Sequence, residues 1–370
     1  MTEQKTRYTV IGAGHGGKAM AAHLALMDFP VTLYNRTDAH VATIRARGGI
    51  QLAFDDRPTL EGFAPLELVT SDIEKATATA QVIMVVVPAS AHRDVACTIA
   101  PRLRDGQIIV LNPGRTCGAI EFAHVLRSHG CTADVTIAEA ETLLYACRSE
   151  GPAQARVFRV KDAVPLAALP ATRTPEALSA LAPAFPQFID GENVLRTSLD
   201  NMGAIFHPAL VLLNAGRIES TQGDYQFYID GVTPSVARVL EAMDRERVTV
   251  AAALGIRAVT AKEWLQKAYD ASGSNLNEAI HNNPGYYGIK APASLENRYI
   301  FEDVPMSLVP IAALGRQYGV QVPAMDAIVR LACIVHRTDY WRTGRTVDKL
   351  GVEGLSIGEL TAYVNEGRLP

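Results

Sequence analysis

The sequence predicts an α/β protein, a doubly wound Rossmann-type parallel sheet followed by a mostly α-helical domain, and three observations carry that prediction. Short β-rich apolar runs alternate with helical stretches up to about residue 190, the rhythm of βαβ units. A glycine pattern, Gly12-x-Gly14-x-x-Gly17, stands between the first such run and the first helix. From about residue 198 the strand signals thin out and helical periodicity takes over.

Composition narrows the function. The 370 residues, 48% of them hydrophobic, suffice for two domains with sizeable cores. The 35 basic and 39 acidic residues leave a net charge of -4 without long runs of one sign. No nucleic acid and no membrane surface is therefore expected as a partner, and a small molecule is. The opening MTEQKTRYTV lacks the apolar core of a secretory signal, and the longest apolar run, VIMVVVPASA at 82–91, is too short for a membrane span. A cytoplasmic location is expected. Five cysteines without CxxC spacing (Cys97, Cys117, Cys131, Cys147 and Cys333) suggest neither a disulfide framework nor a metal site.

Taken in order, RYTVIGAG is the first strand and runs into the glycine loop. Gly12 permits the tight turn, Gly14 lets a pyrophosphate approach the backbone, and Gly17 packs helix on strand. The following helix turns its amino-terminal amides and dipole toward the phosphates. His15 and Gly16 lie within the loop and join the cofactor contacts, although His15 also reads as a solvated side chain. The second strand, PVTLYNR, ends in Asn35-Arg36-Thr37, where NAD binders place a carboxylate for the ribose 2'-hydroxyl. An arginine there pairs with a 2'-phosphate, so NADP(H) is favoured; if Arg36 is merely an exposed loop residue, NAD(H) remains possible. Asp38 reads as the cap of AHVATIRARG.

QVIMVVVP, read as the fourth strand, brings Val87 and Pro88 to the carboxyl edge of the sheet, where ligands bind in such folds. GQIIVLNP and ADVTIAEA lead the segments NPGRT (112–116) and ETLLYACR (141–148) to the same edge. A boundary at FIDGENVLRTS divides a dinucleotide-binding domain, 1–193, from a helical domain, 194–370.

In the second domain helices are predicted over 201–220, 235–255, 259–270, 306–318 and 323–341. The first contains His207-Pro208, and the proline should kink or break it at the histidine. The ring then points out of the core, or it is a core histidine beside a tolerated kink. LENRYIFEDVPMSLVP gathers Arg298, Glu302 and Asp303; Asp303 also reads as a helix cap and Arg298 as a surface ion-pair partner.

The glycine loop, LDNMGAIFHPALVLLNAGRIES and NRYIFEDVPMSLVP together resemble the octopine/nopaline, or opine, dehydrogenase family. The resemblance runs over essentially the whole chain and includes IVLNPG (109–114), the segment 141–150 and DYWRTGRTVDKLG. It implies a His-Asp dyad, His207 with Asp303, at the domain cleft. It also implies a carboxylate-binding Arg298; Thr142, in the segment 141–148 at the sheet edge, is a further substrate-binding candidate. Members of the family reductively join the amino group of an L-amino acid to a 2-oxo acid such as pyruvate, through an imine, with NADH or NADPH. Many are dimers, so a homodimer is expected. The bacterial member that the chain looks most like would carry an acidic residue at Asn35-Arg36, so its NAD preference is not carried over.

Two other readings stand beside this one. Ketopantoate and 3-hydroxy-acid reductases look to a lysine on the first long helix of their second domain, and residues 190–240 contain none. A non-catalytic dinucleotide sensor would not need His207, Asp303 and Arg298 together.

Overall fold

A computed structural model describes residues 5–55 and 57–370. Four short strands, β1 (Tyr8–Ile11), β2 (Val31–Tyr34), β6 (Val82–Val85) and β7 (Ile108–Leu111), are buried at every position. That is the signature of strands covered on both faces. With β5 (Leu68–Thr70), β8 (Thr136–Ala140), β11 (Val164–Leu169) and β12 (Phe188–Asp190) they form an eight-stranded sheet ordered β12-β11-β8-β7-β6-β1-β2-β5. Every neighbouring pair is parallel except β11 with β8. The first unit is thus the Rossmann-type sheet that the alternation predicts.

A second sheet, ordered β4-β3-β10-β9, joins β3 (Gly49–Phe54), β4 (Gly62–Pro65), β9 (Tyr145–Gly151) and β10 (Gln154–Val160), and the sequence reading missed it. Because β3, β4 and β5 intervene, QVIMVVVP is the sixth strand along the chain and not the fourth. Lys18 of the helix His15–Leu26 docks this sheet: its ammonium donates to Ser149 Oγ at 2.6 Å and to the carbonyls of Gly151 and Pro152 at 2.8 and 3.2 Å.

The chain divides into two compact units, the described residues through Thr197 with Ala362–Pro370, and Ser198–Thr361. The carboxyl-terminal segment, placed with the helical domain by the sequence reading, groups with the sheet.

The second unit is helical, but its first helix departs from expectation. Instead of one helix over 201–220 there are two, Gly203–Leu213 and Ala215–Thr221, and Pro208 lies inside the first without ending it. The break falls at Asn214, whose side chain donates to the carbonyls of Leu210 and Gly231 at 2.9 and 3.1 Å. An asparagine amide that competes for helix carbonyls is a stronger local terminator here than the missing proline N–H.

Around this helix a polar frame is buried. Arg247, fully buried, pairs with Asp244 at 2.6 Å and Asp200 at 3.5 Å and donates to the carbonyls of Leu199 and Val259. Such a charge is tolerable inside a protein only when its donors are met in this way. Asn201 Nδ2 donates to Ser307 Oγ at 3.0 Å and so ties the approach to the helix Gly203–Leu213 to the turn Val304–Leu308. No helix among the described residues is long and apolar enough to cross a membrane.

Candidate active site

The first unit presents a loop made almost wholly of backbone. Gly12 adopts φ +112°, and a Cβ there would meet the carbonyl oxygen of Val86 at 2.4 Å. At Gly17 a Cβ would lie 1.8 Å from the Gly12 oxygen, so only glycine lets helix and turn close on each other. Around Gly14, by contrast, nothing lies within 4 Å of the position a Cβ would take. The helix His15–Leu26 that follows has no side-chain cap on its amino terminus. An open backbone cradle beneath an uncapped helix start fits a pyrophosphate. Gly16 is tighter, its Cβ position 3.0 Å from Val86 and 3.1 Å from Leu143.

His15 is exposed, yet it is not simply solvated: Nδ1 accepts the backbone N–H of Ser149 at 2.7 Å. Asn35 serves the loop as well, since its Oδ1 accepts from Ala13 N–H at 3.2 Å and its amide donates to the Thr37 carbonyl at 3.2 Å. Arg36 is 81% exposed and only loosely paired, 3.5 Å from Asp94. Asp38 stands at the amino-terminal cap position of the helix Ala39–Arg47, as expected, but its side chain makes no cap bond. Its carboxylate takes the Arg45 guanidinium at 2.6 Å and the Ser71 hydroxyl at 2.8 Å, and these bonds lower its pKa. Val87 is half-buried and Pro88 exposed, just past the end of β6.

Beyond β8, Thr142 Oγ accepts from Lys161 Nζ at 2.7 Å. Burial pushes the Lys161 ammonium down to about 8, with Arg115 acting in the same sense and Glu141 opposing. Sequence reasoning missed Lys161, which falls between β10 and β11, outside any motif.

The second unit brings together residues that are 96 positions apart: His207 Nδ1 lies 2.8 Å from Asp303 Oδ2. His207 is 17% exposed and the Asp303 side chain is fully buried. Asp303 stands at the amino-terminal cap position of a π-helical turn, Val304–Leu308, as its cap reading expects, but its side chain makes no cap bond. π-Turns widen a helix locally and recur where a side chain is redirected for function. Arg298 begins the short helix Arg298–Phe301; it is 62% exposed, with Nε 3.7 Å from buried Glu302. Beside the pair, Tyr299 stacks on the His207 ring with centroids 4.1 Å apart, a contact no spacing rule indicated.

A neutral imidazole with Nδ1–H directed at a buried carboxylate offers Nε2 to a reactant, and its protonated form is stabilised by the same carboxylate. That arrangement can give and take a proton.

Comparison with known proteins places both units. Residues 190–336 match the family described as NAD/NADP octopine/nopaline dehydrogenase, alpha-helical domain, and residues 7–131 match the NAD binding domain of 6-phosphogluconate dehydrogenase. The chain is 42% identical over 364 residues to an opine dehydrogenase of Arthrobacter sp. (strain 1C), covering 98% of this chain and 100% of that one. A solved octopine dehydrogenase described with NADH and L-arginine superposes with a TM-score of 0.82 at 21% identity, covering 96% of this chain and 98% of the other. A yersinopine dehydrogenase described as NADP+-bound does so with a TM-score of 0.74 at 14% identity, covering 98% of each chain.

Proposed function

Because this chain belongs to the opine dehydrogenase family and is an NAD(P)-dependent oxidoreductase of that type, we propose that it joins the amino group of an L-amino acid to a pyruvate-like 2-oxo acid. The products are an N-(carboxyalkyl)amino acid, water and the oxidised cofactor. The observation that carries the assignment of roles is the 2.8 Å bond between His207 and buried Asp303.

The amine adds to the keto carbon to give a carbinolamine, which must lose water to become an imine. His207 protonates the departing hydroxyl through Nε2, and Asp303 fixes the tautomer and balances the imidazolium. Reduced nicotinamide supplies the hydride that reduces the imine carbon. Arg298 clamps a substrate carboxylate: its guanidinium is mostly exposed and, at 3.7 Å from Glu302, is not locked away. Thr142 binds the oxo acid, because a hydroxyl that already accepts from Lys161 has its own O–H directed elsewhere.

The cofactor loop spans Gly12, Gly14, His15, Gly16 and Gly17, flanked by Val87 and Pro88, with Asn35, Arg36 and Thr37 at the ribose. NADP(H) is the preferred cofactor. This is supported by the exposed Arg36 and by Asp38, whose carboxylate is already held by Arg45 and Ser71. The working form is a homodimer in the cytoplasm; the exposed apolar Leu331, Ile334 and Val335 on the helix Pro323–His336 support the dimer. Sedimentation of the wild type and of Ile334→Glu tests it, with a dimer and a monomer expected.

The activity is tested by following oxidation of NADPH, then NADH, with pyruvate and a panel of L-amino acids. Oxidation that needs both partners is expected. Oxidation with the oxo acid alone identifies a hydroxy-acid dehydrogenase instead, and cofactor binding without turnover identifies a sensor.

A further inference from the structure

A hydrogen bond holds one atom of an imidazole ring and leaves the plane of the ring comparatively free to tilt. At His207 a second ring lies along that plane. Tyr299 lies against the ring at a centroid distance of 4.1 Å and an interplanar angle of 24°. Tyr299 also stacks on Phe227, at 5.5 Å and 17°, so that three nearly parallel rings run from the histidine inward. The column ends on fixed ground. Phe227 is fully buried, its backbone N–H donates to the Ile289 carbonyl at 2.7 Å, and its ring meets Tyr228 edge-on at 5.2 Å. Tyr299 is pinned from the backbone side, where its N–H donates to the Asn297 side chain at 3.0 Å.

We infer that Tyr299 is a positioning residue for the reaction: its ring, backed by Phe227, sets the plane of His207, while Asp303 sets its direction, and together they fix where Nε2 points. The inference rests on the reading of His207 as the proton donor. In it the aromatic face does the work and the phenol hydroxyl does not. A donor that must reach one oxygen in one geometry loses rate when it librates, even when it is still present and still paired.

Three variants test this: Tyr299→Phe, which keeps the ring, and Tyr299→Leu and Tyr299→Met, which keep an apolar side chain without it. Turnover with pyruvate and the best amino acid is measured beside NADPH affinity, melting temperature and the NMR shifts of the His207 ring protons. Phe is expected to keep turnover within ~2-fold, while Leu and Met lower kcat by ~10-fold at unchanged NADPH affinity, the scale set by losing one oriented aromatic contact. Loss of the stacked ring also moves the His207 ring-proton shifts in Leu and Met and not in Phe. The inference is overturned if Leu or Met turns over like the wild type, or if Phe is as slow as they are. Should Leu fail to fold, Met and the shifts decide. His207→Ala, run in parallel, separates the two ideas: if it stays active, the proton-donor reading fails, whereas an inactive His207→Ala beside a fully active Tyr299→Leu removes only the role of Tyr299.

Discussion

The glycine loop of the first unit and the histidine pair of the second are built from opposite materials. The loop is backbone, shaped by what its glycines lack: a Cβ on Gly12 or Gly17 collides with main-chain oxygen, and the space beside Gly14 is open. The pair is side chain, an imidazole and a carboxylate delivered by a helix and a π-turn and buttressed by an aromatic ring. Backbone sites bind whatever presents the right charge and shape, and side-chain sites do chemistry that one substitution removes. Lesions in the two regions should therefore separate binding from turnover.

The largest effect is expected of His207→Ala, which should lower turnover ~100-fold or more, the usual range for an acid/base group, and leave NADPH binding near normal in a fluorescence titration. Near-unchanged turnover would remove the histidine from the mechanism. In the loop, Gly17→Ala forces a Cβ to within 1.8 Å of the Gly12 oxygen, so the backbone must open. We expect NADPH and NADH affinity to fall together by ~10-fold or more, about 1.4 kcal/mol, with the His207–Asp303 pair untouched by NMR. Arg36→Ala sharpens the comparison within the cofactor site: NADPH affinity alone should fall, by several-fold, because an exposed charge pair is worth only ~1 kcal/mol. Equal loss for NADH would mean that Arg36 does not read the 2'-phosphate.

The smallest effect at neutral pH belongs to the core of the first unit. His23 Nδ1 lies 2.9 Å from the Tyr145 hydroxyl, and burial, aided by Arg57, pushes its pKa down from 6.5 to about 4. The folded state thus keeps His23 neutral while the unfolded chain takes up a proton below 6.5, so stability falls with pH from 6.5 toward about 4 and is full above that window. Melting curves across that range should show the slope, shallower in His23→Gln.

What the sequence disclosed follows from distance along the chain. The loop lies within six residues and its rule is local, so Gly12, Gly14 and Gly17 could be assigned from spacing. His207 and Asp303 are 96 positions apart, and only family resemblance paired them; locally Asp303 looked like a cap. The small sheet escaped for a similar reason. β10 pairs in parallel with β3 across about a hundred residues, Gln154 with Gln51, and both β9 and β10 carry charged residues on their exposed faces. At Asp38 and Pro208 local rules gave only part of the outcome: Asp38 stands at the start of its helix but Arg45 and Ser71 take its carboxylate, and the helix of Pro208 is not broken there but ends where Asn214 finds Leu210 and Gly231. Arg247 and Tyr299 carried no local signal at all, since a buried guanidinium and a stacked ring are recognisable only from what surrounds them.

The most direct test of the central claim, that His207 and Asp303 act as one proton-transferring unit, is a double-mutant cycle of kcat for His207→Ala, Asp303→Asn and the two combined. Groups that work through each other lose activity once, so the double variant should be about as slow as His207→Ala alone. If the two losses multiply instead, the carboxylate acts independently of the histidine and the proposed dyad is wrong.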